Sequence, residues 1–289
     1  MPPYNLFGLE DQEYKRSKVV VLPIPYDAMA SYGAGTRNGP HAIIEASRNV
    51  ELYDAELGYD ISDVGIFTTE ELAPDRSSPQ NMAKRVEKEV SLILEDSKMP
   101  FVLGGDHSVS IGAINAAARK AKSMSVLQFD AHSDAREEYE GTKYSHACVM
   151  ARAMDACGSC YSAGVRSTDR ESDSKRGKST LYMHQMRRMS TDQVVKRILE
   201  STRESVYITV DVDVLDPGEM PSTGTPEPGG MGYQQLKEVL GGVIARRKVV
   251  GMDIVELSPI GGMRAPDFLA ARLAYMMIGY AFAKKGRRL

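Results

Sequence analysis

The sequence is poor in cysteine, has no long apolar run and carries no excess of either charge. Its three cysteines, Cys148, Cys157 and Cys160, are an odd and low number for 289 residues, which excludes a disulfide framework and suits a reducing compartment. A membrane helix needs about 18 consecutive apolar residues. The nearest approach, Phe268 to Ala283, is interrupted by Arg272 and reads as a buried helix. No membrane partner is therefore expected. The opening Met-Pro-Pro-Tyr-Asn-Leu has neither the basic n-region nor the apolar h-region of a secretory signal, so the expected location is cytoplasmic. With 36 Lys+Arg against 39 Asp+Glu and a net charge of −3, there is no basic face to hold nucleic acid. Neither a repeat, a low-complexity tract nor a linker divides the chain. The expectation is one domain, residues 1–289, large enough for a sizeable core.

Cys157-Gly-Ser-Cys160 has the spacing of a redox dithiol or of half a zinc site. There is no second such pair. This one follows a helical stretch and precedes the strand-like Tyr161-Ser-Ala-Gly-Val165, whereas a redox pair sits where a strand enters a helix. A structural role is the better reading, and a disulfide between the two is the alternative.

Strand-length apolar runs alternate with stretches of helical period. The strands read as Lys18–Leu22, Pro100–Leu103, Ser125–Phe129, Val206–Val210 and Val249–Val255. Between Gln80 and Asp96, the residues Met82, Val86, Val90, Ile93 and Leu94 recur on one helical face. Further helices read near Pro40–Val50, through Ala118, and at Thr191–Ser201, Tyr233–Arg247 and Ala265–Ala283. Continuously apolar strands alternating with helices predict an α/β chain whose mostly parallel sheet is covered on both faces.

Ligand sites in such sheets lie beyond the carboxyl ends of the strands. Four strands end in unusual residues: Gly104-Gly-Asp-His107-Ser, Asp130-Ala-His132-Ser-Asp134, Asp211-Val-Asp213 and Asp253-Ile-Val-Glu256. In extended chain, residues i, i+2 and i+4 share a face, so Asp130, His132 and Asp134 are expected to project together, as are Asp211 and Asp213. Taken singly, a strand-end Asp is a turn or cap residue, which is the reading for Asp106, and a core His is a hydrogen-bonded structural residue. Together they form four carboxylates and two imidazoles without a thiolate, and no Lys or Arg lies within the motifs. Like charges packed this closely oppose folding unless cations neutralise them. A pair of divalent ions bound by oxygen and imidazole, Mn²⁺ or a similar metal, satisfies that requirement. Two ions about 3.5–4 Å apart also supply hydroxide near neutral pH.

These strings together resemble the ureohydrolase family: arginases, agmatinases and related guanidino-hydrolases. The likeness begins at Pro23-Ile-Pro-Tyr-Asp27 and Gly35-Thr-Arg-Asn-Gly-Pro40. It continues through Gly104–Ser108, Asp130–Asp134, Ser145-His146, Asp211–Pro217 and Gly224-Thr-Pro-Glu-Pro-Gly-Gly230 to Glu256-Leu-Ser-Pro259. It implies a three-layer αβα arginase-like fold, two Mn²⁺ per chain and a homo-oligomer, usually a trimer or hexamer. It also implies that His107, Asp130, Asp134 and Asp211 bind one ion or bridge, that His132 binds the other, and that Asp130, Asp211 and Asp213 are shared or chelating. Asp134 would orient the bridging hydroxide. Glu256 would receive the substrate guanidinium, a structural salt bridge being its alternative. His146 would protonate the leaving amine, a role that a neutral-range pKa suits. His41 and His184 match nothing catalytic.

The implied reaction is hydrolysis of a small cationic guanidino compound, agmatine, to urea and putrescine. Arginine, a guanidino acid and aminopropylagmatine are the alternatives. Glu137, Glu138 and Glu140, in the loop before His146, are expected to repel a carboxylate and favour a second cationic end; a solvated acidic loop is the other reading. His146-Ala-Cys148 departs from the His-Gly-Thr of many agmatinases, which leaves substrate length open. A zinc deacetylase of related fold would need one metal and paired histidines, and a non-catalytic relative would have lost a ligand.

Overall fold

Apolar runs without polar alternation form strands buried on both faces: every residue of Val19–Ile24 and of Met124–Phe129 is buried. The computed structural model describes residues 3–29 and 32–283. Its strands are β1 (Val19–Ile24), β2 (Tyr53–Asp54), β3 (Tyr59–Asp60), β4 (Ile66–Thr68), β5 (Met99–Gly104), β6 (Met124–Phe129), β7 (Cys160–Val165), β8 (Thr180–Tyr182), β9 (Ser205–Asp211) and β10 (Lys248–Val255). Its α-helices are α1 (Gly39–Ser47), α2 (Pro79–Glu95), α3 (Val109–Lys120), α4 (Val149–Cys157), α5 (Arg170–Arg176), α6 (Met183–Met186), α7 (Thr191–Ser201), α8 (Tyr233–Ile244) and α9 (Ala265–Phe282).

Helix α2 shows how local chemistry sets an element. Ser78 caps it by accepting the Asn81 N–H at 3.1 Å, and Pro79 fills the first turn, where its missing N–H costs nothing. The expected stripe Met82, Val86, Val90, Ile93 and Leu94 is buried. Along β1 the side chains alternate between two cores. Val19 and Val21 face the layer of α1 and α6 to α9; Val20 and Leu22 face α2 to α4. The sheet is the middle of three layers, the architecture expected. Helix α9 is the long apolar segment near the end of the chain and packs in the core. Among the described residues, no helix is long and apolar enough to cross a membrane.

The eight-stranded sheet runs β4-β1-β5-β10-β9-β6-β7-β8, and its pairings are parallel. Strands β4 and β8 were not anticipated. Each has three residues at a sheet edge, too few to show a periodicity. Cys157 closes α4 and Cys160 opens β7, so this pair does sit where a helix leads into a strand, and all three cysteines are free.

The strand order has one functional consequence. β5, β10, β9 and β6 are consecutive in the sheet although far apart in sequence. Because they run parallel, their carboxyl ends meet along one edge, and those are the four ends with unusual residues.

Candidate metal centre

His107 follows β5, Asp211 ends β9, Asp213 lies in the 3₁₀ turn Val212–Val214, and Asp130, His132 and Asp134 follow β6. Ligand-capable atoms of His107, Asp130 and Asp211 lie within 4.8 Å of one another, as do those of Asp130, His132 and Asp213. The two groups share Asp130. Asp134 belongs to neither, but its carboxylate stands 2.9 Å from His107 Nδ1.

The expected convergence is present, with Asp130 and His132 side by side, but extended alternation does not reach Asp134, nor does it run from Asp211 to Asp213, which lies in the turn Val212–Val214. Asp134 has φ +46° and Glu256 φ +66°, left-handed conformations that side chains other than glycine adopt at a cost of about 1–3 kcal/mol and that cluster at functional sites. Asp213 comes beside Asp211 through a tight turn closed by its own N–H on Asp211 Oδ1 at 2.8 Å.

Main-chain donors hold one oxygen of each of four carboxylates. His132 N–H reaches Asp130 Oδ1 at 2.5 Å, Ala131 N–H reaches Asp213 Oδ1 at 2.9 Å, and His107 N–H reaches Glu256 Oε1 at 2.7 Å, alongside the Asp213–Asp211 bond. The main chain therefore fixes the orientation of these side chains. Gln128 Nε2 holds the second Asp130 oxygen at 2.7 Å, and Ser162 fixes that amide by donating to its carbonyl oxygen at 2.7 Å.

His107 supplies the test of whether a cation fits. The Thr209 hydroxyl donates to Asp253 at 2.5 Å and stands 2.8 Å from His107 Nε2. With its single hydrogen committed, Thr209 accepts from Nε2–H, so the neutral ring has its lone pair on Nδ1. That Nδ1 is buried without a hydrogen-bond partner, and oxygens of Asp134, Asp130 and Asp211 stand 2.9, 3.2 and 3.5 Å away. A lone pair facing three carboxylates repels them unless a cation or a proton intervenes. The donor set, oxygen-rich with two imidazoles, fits divalent metal ions.

Thr209, Asp253 and Gln128 are buried; Thr209 and Gln128 belong to no motif in the sequence, and Asp253 opens the strand-end motif Asp253–Glu256 without a role that the sequence shows. Their signal was a polar residue inside an otherwise apolar strand. Asp106 accepts from the N–H groups of Met29 and Ser108, both at 3.0 Å, as a turn residue should.

Above these residues opens a cleft of about 240 Å³ lined by His132, Asp134, His146, Asp213 and Glu256. No Lys or Arg ion pair to Glu256 occurs among the described residues, which removes the salt-bridge alternative; its Oε2 is the oxygen towards Gly224, across the cleft. His146 lies edge-on to Tyr139 at 5.8 Å. Burial, joined by positive charge on His107 and His132, pushes it down to about 4 rather than into the neutral range expected. His41 contacts Tyr4 and His184 stacks on Tyr182, both away from the cleft.

The acidic loop does not do what its charges suggested. Glu137, Glu138 and Glu140 are exposed and do not line the cleft. Glu137 is drawn outward by Arg152 at 2.9 Å and Lys175 at 3.6 Å. The same loop turns Arg136 and Tyr139 towards the cleft instead. Asp169 also lines it, but caps α5 by accepting the Glu171 and Ser172 N–H groups at 2.9 and 3.0 Å.

Residues 17–279 match the Arginase family. The chain belongs to that family. It is 38% identical to the N(1)-aminopropylagmatine ureohydrolase of Thermus thermophilus, over 95% of this chain and 94% of that one. It is 34% identical to the agmatinase of Pyrococcus horikoshii, over 96% and 97%. The crystal structure of agmatine ureohydrolase of Thermoplasma volcanium superposes with a TM-score of 0.86 at 32% identity, covering 93% of this chain and 92% of that one. The chain is thus an agmatinase-like ureohydrolase with an arginase-like fold.

The carboxylates of this arginase-family centre make metal dependence a pH question. Burial and the neighbouring Asp130 push Asp134 up to about 6. Burial and like charge also raise Asp213, and push Asp211 and Glu256 well up. A carboxyl raised on folding stabilises the protein at low pH, and that contribution is lost as pH rises through the folded value. Burial opposes charge on the histidines, but the surrounding aspartates prevail, holding His132 up at about 12 and His107 well up. Their contribution is therefore kept through neutrality. The metal-free protein accordingly weakens as pH rises from about 4, where these carboxyls titrate in the unfolded chain, through about 6 for Asp134, while ion binding needs the same carboxylates deprotonated. The Tm difference between Mn²⁺-loaded and chelator-treated protein should widen over that interval in calorimetry. A narrowing difference would contradict the arrangement.

Proposed function

We propose that this chain hydrolyses the guanidinium group of agmatine, using two Mn²⁺ ions, to urea and putrescine. The observation that carries the proposal is Glu256: one carboxylate oxygen is held by the His107 N–H at 2.7 Å, and the side chain lines the same cleft as His132, Asp134 and Asp213. Its second oxygen and its charge suit a planar guanidinium. The proposed ligands are His107, Asp130 and Asp211 for one ion and Asp130, His132 and Asp213 for the other, with Asp134 beside the first. When bound, the ions neutralise the carboxylates and supply hydroxide near neutral pH. Glu256 places the guanidinium carbon over the centre and limits its rotation. Asp134, held towards His107, accepts a hydrogen bond from the attacking group. His146, kept neutral by burial, would carry to the leaving amine the proton released when the attacking water becomes hydroxide. A cytoplasmic homo-oligomer, trimer or hexamer, completes the proposal; exposed Ile260, Met263 and Phe268 support association.

Two other substrates have specific support. The 38% identity to an aminopropylagmatine ureohydrolase favours the longer guanidino-polyamine. Arg136, at the cleft wall, favours a guanidino acid, although it stands 3.7 Å from Asp169 and over the Tyr139 ring. The test is urea release from agmatine, aminopropylagmatine, arginine and guanidinobutyrate at matched Mn²⁺. Agmatine is expected to give the highest kcat/KM. Preference for arginine or guanidinobutyrate would transfer the specificity to Arg136, and no urea from any of the four would remove the reading altogether. In the same assay His146→Ala should lower turnover about 10²-fold with metal content unchanged.

A further inference from the structure

Arg166 belongs to no motif discussed above, yet it lies between the two chain segments that deliver Asp130, His132 and Asp213. It follows β7 directly. Its main-chain N–H, with that of Ser167, donates to the Ala131 carbonyl at 2.8 and 2.9 Å, between Asp130 and His132. Ala131 in turn donates its N–H to Asp213 Oδ1 at 2.9 Å. The half-buried guanidinium reaches the other segment. Its Nη2 donates to the carbonyls of Asp213 at 2.7 Å, Glu227 at 2.8 Å and Leu215 at 3.2 Å. Its Nη1 reaches Val214 at 3.3 Å, and its Nε reaches Pro228 at 3.2 Å.

The partners of the guanidinium are carbonyl groups, and among the described residues Arg166 forms no ion pair with a carboxylate. A rigid planar fan of donors is what several converging carbonyls require, and an ammonium group cannot reproduce it. Close packing adds to the constraint. A Cβ at Gly230 would come within 2.5 Å of Leu215 and Asp216 main-chain atoms, and one at Gly164 within 2.6 Å of Val214. The residues after Asp213 are thus closely packed, while the Asp213 carbonyl itself is held by the Arg166 guanidinium.

We infer that Arg166 is a positioning residue that holds Asp213 against Asp130 and His132, and so sets the affinity of that group for its ion. The inference rests on the metal-centre reading proposed above. Charge and positioning predict opposite signs. A cation beside a cation site weakens binding, so if charge were all that mattered, Arg166→Met would bind the second ion more tightly and Arg166→Lys would be unchanged. If Arg166 positions, both variants lose affinity, because neither keeps the donor fan.

The experiment is Mn²⁺ titration of metal-free wild type, Arg166→Met and Arg166→Lys by calorimetry, with electron paramagnetic resonance to distinguish a coupled ion pair from an isolated ion. Wild type should take up two ions. Both variants should bind one normally and the second about 10–100-fold more weakly, the usual effect of losing a group that orients a ligand. The retained first ion, at His107, Asp130 and Asp211, reports that the fold persists. Should Arg166→Met fail to fold, Arg166→Lys still makes the same distinction. Two ions bound at wild-type affinity in both variants, or tighter binding in Arg166→Met, would overturn the inference. Failure of wild type to take up Mn²⁺ would instead overturn the metal-centre reading beneath it.

Discussion

Asp130→Asn should strip the centre of both ions. Asp130 is the residue common to the two ligand-capable groups, is fully buried, and has its oxygens held by His132 N–H at 2.5 Å and Gln128 at 2.7 Å. Asparagine has nearly the same shape, so packing is preserved while the charge is lost. Its amide also carries one acceptor where two donors demand one each, leaving a donor facing a donor. Losing a charged ligand common to both groups should weaken each ion by more than the about 10–100-fold that losing a supporting group costs. Metal analysis after dialysis should find under one Mn²⁺ per chain, with urea release falling in proportion and far-ultraviolet circular dichroism unchanged. Retention of two ions per chain would show that Asp130 does not bridge.

Glu256→Gln should leave metal content intact and lower kcat/KM by about 30- to 4,000-fold, the consequence of losing one partner of a desolvated charge pair worth about 2–5 kcal/mol. The His107 N–H can still donate to the amide oxygen, so the local chain should hold its course. What is lost is the negative charge that a guanidinium needs. Because burial holds the Glu256 carboxyl well above its usual range in the metal-free protein, a neutral group here should not harm folding. The Tm without metal should be unchanged or higher. Steady-state kinetics on agmatine with parallel metal analysis checks both halves. Unaltered kcat/KM would release Glu256 from substrate binding, and metal loss would make it part of the ion site.

Arg136 and the three glutamates show where reasoning from charge alone failed. Glu137, Glu138 and Glu140 suggested an acidic wall, but whether a loop side chain faces a cleft depends on its partners elsewhere. Arg152 and Lys175, neither of them in that loop, turn Glu137 outward. The loop's contribution to the cleft is a cation and an aromatic ring.

The sequence by itself determined the chemistry and the local elements. Strand and helix periods are set by residues within one or two turns of each other, so the buried face of α2 and the run of β1 were legible. The donor types were legible as well, since four carboxylates and two histidines at strand ends are a matter of composition and position. Tertiary structure alone decided which ends meet. The order β5-β10-β9-β6 is a set of long-range pairings with no local signature, and it turns four separate motifs into one cluster. The left-handed turns at Asp134 and Glu256 were equally hidden, because packing and hydrogen bonds around them stabilise conformations their own residue types disfavour. Thr209, Asp253 and Arg166 acquire their roles only from neighbours distant in sequence. Their work is to orient other side chains, and orientation is a property of the folded chain.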